Sequence, residues 1–304
     1  MKRKKLKSLS EKQAQVGRLF VYPWLIGFLI FFAHPFIQSL IFAFSELDVS
    51  PSGLKLKYIG LRNFIKALQE DPNFIQYLTT EITNMIVNIP LILMFSLFIA
   101  VLLNQKFKGR ALIRAIFFLP VVVMSGALLY VLESNSLEQF NIGAQAGMVM
   151  SNSPFVRGID FRMILMQVTG NIPIIQPLIH AIDRIYEIIW KSGVQILIFL
   201  AGLQSIPSSL YEVADIEGAT FWESFWKITF PMISPIILVN VVYTIIDSFT
   251  DYSNDVLRYI LEVSFRKLQH GYSSAIAWLY FLIIGIVLII VISIISKRVF
   301  YMGD

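Results

Sequence analysis

Four polar side chains on one apolar stretch, Asn240, Tyr243, Asp247 and Asp251, recur at i, i+3, i+7 and i+11. That spacing collects them on one face of a helix. Thr244 and Ser248 border the face, and on an earlier apolar stretch Asn84 and Asn88 stand one turn apart ahead of Pro90. A carboxylate at bilayer depth costs ~2.5–3.5 kcal/mol on insertion scales, so such groups turn toward a bundle interior or a wet cavity. Amide, phenol and carboxylate groups in file suit a hydroxyl-rich solute, which needs several hydrogen bonds and a ring to stack on. Tyr243, Trp278 and Tyr280 are rings suited to that stacking. The competing use is interhelical hydrogen bonding, a common task for Asn and Ser in membranes. The two uses weigh equally for Asn84 and Asn88. For the 240–251 face a substrate pathway is the expectation, although Asp251 alone also fits as a cap at a helix end. Lys191 and Gln195 share a face as well, but Lys191 lies near enough to the membrane surface to snorkel and is not expected as a ligand.

Catalytic chemistry is missing. No Gly is followed by Lys, so a phosphate-cradling G-x-x-x-x-G-K-[ST] loop cannot be placed in this chain. The histidines, His34, His180 and His270, are far apart with no H-E-x-x-H pair, and cysteine is absent, so neither a metal site nor a disulfide is expected. G-x-S-x-G does not occur either. No catalytic residue is assigned.

The elements that must carry these residues are long and apolar. Apolar residues make up 56% of the chain and mean hydropathy is +0.69, far above a soluble domain. Runs of about 20 apolar residues are what it takes to cross ~30 Å of hydrocarbon. The expectation is an all-α, polytopic membrane protein with six spans near 19–44, 77–103, 111–131, 186–203, 231–249 and 274–295. A basic segment at 1–18 precedes a single transmembrane domain over 19–304. The first run is too long for a cleaved signal peptide, and Pro35 should kink it. Residues 161–185 are apolar but broken by Gly170, Pro173 and Pro177, and read as outer-surface or partly re-entrant helices. The net charge of +5 fits basic flanks facing anionic lipid, with no nucleic-acid partner implied. Seven Lys or Arg lie in residues 1–18, four lie between Asn104 and Arg114, and Lys227, Lys297 and Arg298 follow. The positive-inside rule then places both termini and residues 205–230 in the cytoplasm.

Residues 205–230 carry their own punctuation. Pro207 suits a first helical turn. Ser209 to Glu212 and Thr220 to Glu223 both show S/T-x-x-E capping-box spacing. Gly218 between them suits a C-cap or turn, and Pro231 and Pro235 mark entry to the next apolar run. From spacing alone an ordinary interhelical loop with two surface helices reads as well as a specialised one. Glu212 could be no more than a cap, and Leu210, Val213, Ile216 and Phe221 could pack on the membrane domain or on a partner.

The residues decide more. Glu212, Ala214, Gly218, Ala219, Ile228, Pro231 and Pro235, preceded by Ala201-Gly202-Leu203-Gln204-Ser205-Ile206-Pro207, resemble the EAA motif of permease subunits from carbohydrate-type, binding-protein-dependent ABC importers. Val213 replaces the usual middle Ala, and Glu217 stands where Asp is usual. Pro23, Phe31, Phe32, Pro35 and Ser45 look like the first permease of maltose- or glycerol-phosphate-type systems. The resemblance implies a type I importer permease fold and a coupling helix that docks on a cytoplasmic ATPase through Tyr211, Glu212, Ala214, Glu217, Gly218 and Ala219. It implies pairing with a second homologous permease as a heterodimer, two ATPase subunits that use ATP and Mg, and an extracytoplasmic solute-binding protein, all at a bacterial cytoplasmic membrane. This chain itself would bind no cofactor. The expected function is import of a sugar or oligosaccharide. The alternative from the residues is an ion-gradient-driven secondary transporter, with Asp247 and Asp251 relaying protons, although the inverted repeats expected of that class are not visible.

Overall fold

The computed structural model describes residues 9–50, 53–105, 107–124, 184–185, 187–251 and 253–299. Helix α1 (Leu9–Phe28) runs through a π-helical turn, Leu29–Ala33, into α2 (His34–Ala43). Pro35 lies in the first turn of α2, where its missing N–H costs little. The wide turn just ahead of it re-spaces the carbonyls that Pro35 leaves without a donor, one of the usual devices at a helix proline. Strands β1 (Ser45–Ser50) and β2 (Gly53–Tyr58) pair antiparallel with Ser50 opposite Gly53. Among the described residues the expected all-α chain thus carries one small two-stranded hairpin. Helix α3 (Arg62–Ile65) and the turn Lys66–Glu70 lead to α4 (Pro72–Asn104), then α5 (Arg110–Met124). Helical residues 184–185 and 187–191 precede α6 (Gly193–Gln204). After α6 come α7 (Ser208–Ile216), α8 (Phe221–Ser224), the π-helical turn Phe225–Thr229, α9 (Phe230–Met232) and α10 (Ser234–Thr250). Helix α11 (Asp255–Leu261), the turn Glu262–Arg266 and α12 (His270–Ser296) complete the described chain.

Three described helices are long and apolar enough to cross a membrane unaided: Val16–Ala43, Pro72–Asn104 and His270–Ser296. Two bent pairs qualify if each counts as one span, with α6 and α7 meeting at 65° and a 64° bend at Ile233, between Met232 and Ser234. The expected third span is helical as far as Met124. Its remainder, and residues 161–183 of the segment read as outer-surface helix, lie outside the described residues.

The chain divides into two units. The first comprises Met1–Ile75 and Ile260–Tyr280. Its centre is a close approach at Gly271, where a Cβ would lie 2.2 Å from the Ser45 carbonyl oxygen, so only glycine fits. Asn63 donates to the carbonyls of Ala43 (3.0 Å) and Ser45 (3.1 Å), fixing the chain where α2 ends. Asp71 caps the start of α4 by accepting from Asn73 and Phe74 N–H, and its other oxygen accepts from Tyr272 Oη at 2.6 Å.

The second unit comprises Gln76–Tyr259 and Phe281–Asp304. Its core joins Ala100 and Leu103 of α4 to Ile196, Phe199, Leu200 and Leu203 of α6, with Ile206 and Ile233 beside the loop between α6 and α10. Arg114 of α5 donates to the Leu103 carbonyl at 2.9 Å, serving one of the orphan acceptors at the end of α4. This core seats the 205–230 loop.

Candidate functional site: the 205–230 elbow and the helix pair behind it

Helix α7 starts two residues earlier than the Ser209–Glu212 box required. Pro207 stands at its N-cap with φ −58° and ψ 130°, so Ser209 is already inside the helix and makes no cap. Pro207 therefore ends the approach to the helix rather than filling its first turn. At the other end Gly218 adopts φ +76°. The Ala219 N–H reaches the Ala214 carbonyl at 2.9 Å and the Gly218 N–H reaches Asp215 at 3.1 Å. These paired bonds make a Schellman stop, which needs a left-handed residue at Gly218. The second helix opens as its spacing required. Glu223 N–H donates to Thr220 Oγ1 at 3.3 Å, and the Glu223 carboxylate accepts from Thr220 N–H and Oγ1, each at 2.9 Å. These bonds, the one from the backbone foremost, hold the Glu223 carboxyl below its ordinary value, and Lys227 adds to the effect.

The elbow is tied to the membrane helices on one side and open on the other. Tyr211 shares a 2.8 Å hydrogen bond with Thr229 and packs on the core, and Ala214 is buried. Glu212, Glu217 and Gly218 are exposed, as are Val213, Phe221 and Trp222. Ile216 at 84% exposure is far too open for a residue serving the core of this chain. Trp222, Phe225, Trp226 and Phe230 pack ring against ring, with centroids 5.1–6.4 Å apart. The six coupling residues named from the sequence thus fall on one elbow, with Tyr211 and Ala214 facing the core and Glu212, Glu217 and Gly218 facing out.

Behind the elbow α6 and α10 run antiparallel. Asn240 is fully buried and donates to the Gln195 carbonyl at 3.3 Å. Gln195 Nε2 donates to Thr244 Oγ1 at 3.3 Å, and Thr244 Oγ1 donates to the Asn240 carbonyl at 2.7 Å. In this conformation Asn240 joins helices. Tyr243 and Asp247 are half-buried on the same helix. Asp251 ends α10, accepts from Ser253 N–H and Oγ at 2.8 Å each, and pairs with Lys191 Nζ at 2.8 Å. On α4, Asn84 is exposed and Asn88 accepts from Arg184 at 3.1 Å. Of the other two stacking candidates, both in the first unit, Tyr280 is 1% exposed and Trp278 donates its Nε1–H to Ser39 while packing on Phe36. Those two rings are committed to packing.

The sequence left out the ion cluster itself. Lys191 bridges Asp251 and Glu187, the latter at 2.9 Å. Glu81 on α4 accepts from Asp255 N–H at 3.0 Å, at the start of α11. The available signal was a lysine and several carboxylates at the ends of apolar runs, where side chains are usually solvated.

Residues 188–302 match the family described as binding-protein-dependent transport system inner membrane component. Over 98% of this chain and 96% of the relative, the chain is 32% identical to "Probable ABC transporter permease protein YesP" of Bacillus subtilis. It is 28% identical to the multiple sugar-binding transport system permease protein MsmF of Streptococcus mutans, covering 92% and 95% of the two chains. Among solved structures, a bacterial ABC transporter involved in the import of the acidic polysaccharide alginate matches with TM-score 0.63 and 21% identity, over 94% of this chain and 96% of that one. The fold is that of a type I importer permease. The chain belongs to the membrane-spanning permease subunits of binding-protein-dependent ABC importers. It is a multi-pass membrane protein and a transport subunit rather than an enzyme, and the ion-gradient alternative gives way to this family.

Proposed function

We propose that this chain is one membrane half of a sugar or oligosaccharide importer in a bacterial cytoplasmic membrane, with both termini in the cytoplasm. It pairs there with a second, homologous permease as a heterodimer. Cytoplasmic ATPase subunits use ATP and Mg and engage the 205–230 elbow. An extracytoplasmic binding protein delivers the cargo. Support for a carbohydrate cargo comes from relatives named for multiple sugars, arabinooligosaccharides and lactose.

The observation that carries the coupling role is the elbow: two short helices closed by the Gly218 stop and the Thr220–Glu223 box, fastened by Tyr211 and presenting Val213, Ile216, Phe221 and Trp222 outward. An apolar surface on a polar loop marks a protein contact. When the ATPases close, they displace the elbow, and the spans rock between inward- and outward-open states. Asn84, Asn88, Asn240, Tyr243, Asp247 and Asp251 line the route as its polar residues. Asn88, bonded to Arg184 in the present conformation, is released as the bundle opens, while Asn240 and Asp251 move with the helix pair they join. Cargo moves because the two states differ in the contacts they offer it.

Copurification and uptake test the assignment. Tagged chain should bring down a second permease and an ATPase, and liposomes holding the complex should take up an oligosaccharide only with ATP inside. A cysteine at Ser209 should react with an impermeant thiol reagent from the cytoplasmic side alone. Labelling from outside would overturn the topology and the coupling role together.

A further inference from the structure

The contacts between α6 and α10 form a ladder. Tyr211 meets Thr229 at the elbow, Gly202 meets Ile236, Gln195 meets Asn240 and Thr244, and Lys191 meets Asp251. Each step outward along one helix is matched by a step along the other, so the elbow and the far end belong to one two-helix lever. The lever has a weak point. The helix at 187–191 tightens at Ser192, whose N–H bonds Ile189 O while its backbone stays right-handed helical at φ −87° and ψ −5° before α6 continues. Lys191 and Glu187 lie beyond that tightened turn, and Asp251 stands where α10 stops in extended backbone at ψ 130°. The ion pair thus joins the end of α10 to the segment just past the turn. The Lys191 and Asp251 side chains are only 20% and 16% exposed, and the second Asp251 oxygen is occupied by Ser253. A largely buried pair whose lysine has a second carboxylate and whose aspartate has further donors holds one geometry, unlike a solvated surface pair.

We infer that Lys191 is a positioning residue for transport: held in place by Glu187, it bonds Asp251, ties the segment before Ser192 to the end of α10 and so splints the turn there. Displacement of the 205–230 elbow then reaches the far end of the lever instead of being lost as bending at Ser192. This rests on the coupling role proposed above. Glu81 anchors the start of α11 to α4, so the segment that follows Asp251 is also held at its far side. Without Lys191 the outer segment and the end of α10 separate, the elbow moves alone, and ATP hydrolysis runs without moving cargo.

The test uses the complete complex, with cysteine-free partner subunits. This chain has no cysteine, so thiols introduced at Ile185 and Ser209 are its only labelling sites. Spin labels there should give one narrow distance in the parent protein with and without ATP and Mg. Lys191→Met should broaden that distance and raise ATP hydrolysis measured without binding protein by about fivefold or more, the scale of an ordinary coupling energy. Lys191→Arg should retain both parent properties, and Lys191→Asp with Asp251→Lys should recover them in part. A narrow distance and parent hydrolysis in Lys191→Met would overturn the inference. So would failure of Lys191→Met, Lys191→Arg and the charge exchange alike to assemble, since the pair would then be a tie for the fold. A parent complex that hydrolyses no ATP would instead count against the proposed function.

Discussion

Gly202 and Ile236 stand so close that a Cβ on the glycine would lie 2.7 Å from Ile236 Cγ1 and 3.2 Å from its Cβ. Those are atoms at the base of a β-branched side chain, which cannot swing aside. Close approach at small residues is how helices gain van der Waals contact in a bilayer, where the hydrophobic effect no longer drives association. This contact seats α6 against α10 just behind the elbow.

Gly202→Ala should therefore destabilise the chain by about 1–3 kcal/mol, the ordinary cost of overpacking. Adding Ile236→Ala removes the two γ-carbons and should recover part of that loss. Thermal unfolding in detergent reads both. A Gly202→Ala protein as stable as the parent would show that the helices part without cost.

Asn240 and Asp247 share a helix face but should answer substitution differently. Asn240 is fully buried and bonded to Gln195, so Asn240→Ala should lower stability by about 0.6–1.7 kcal/mol, as interhelical hydrogen bonds in bilayers do. Among the described residues, the Asp247 carboxylate has no hydrogen-bond partner. Asp247→Ala should leave unfolding unchanged and cut uptake by liposomes. Loss of the complex on Asp247→Ala would place the residue among those that hold the bundle together.

The Thr220–Glu223 box gives α8 a pH dependence. The folded Glu223 carboxyl titrates below its ordinary value of 4.5 because it accepts the Thr220 bonds. Its contribution is thus present above that ordinary value and fades as pH falls through the depressed one. Hydrogen-exchange protection of residues 221–229, corrected for intrinsic rate, should hold at neutral pH and fall below pH 4.5. Glu223→Ala should remove that fall and give the lower protection throughout, whereas Thr220→Ala, which keeps the 220 N–H, should only lessen it.

Local signals were legible in the sequence and distant ones were not. Thr220 to Glu223 and Gly218 act within one turn of backbone, so their spacing nearly determines their geometry. Ser209 to Glu212 has the same spacing, but Pro207 sets the helix start first and leaves Ser209 two residues too deep. The Asn240 face was visible as a period, yet a period does not say which neighbour lies opposite, and that neighbour is Gln195. Lys191 and Asp251 meet only because α6 and α10 are antiparallel and end together, which no local pattern encodes. Glu81 escaped for the same reason, its partner being the Asp255 N–H. Trp278 and Tyr280 looked like stacking surfaces because ring chemistry is the same in a pathway and in a packed interior.

Gly218 offers the cleanest separation of fold from coupling. Its φ of +76° is a conformation an L side chain enters at a cost of roughly 1–2 kcal/mol. No atom lies within 4 Å of where its Cβ would be, so the cost of Gly218→Val is in the backbone and not in a clash within this chain. Membrane insertion and the core around Leu103, Phe199 and Ile233 should survive, because that core lies on the other side of the elbow. What changes is the Schellman stop: the Ala219 and Gly218 N–H groups lose their carbonyls, and α7 and α8 no longer meet at a fixed angle. The exposed Ile216 and Phe221 flank that turn, so the surface proposed to meet the ATPase is redrawn. The expected result is a folded protein destabilised by no more than about 1–2 kcal/mol whose complex hydrolyses ATP without uptake, or fails to hold the ATPase through purification. Gly218→Asn should retain most coupling, since Asn tolerates the left-handed conformation better than other residues. Parent rates of uptake in Gly218→Val would remove the elbow from the path between nucleotide and cargo.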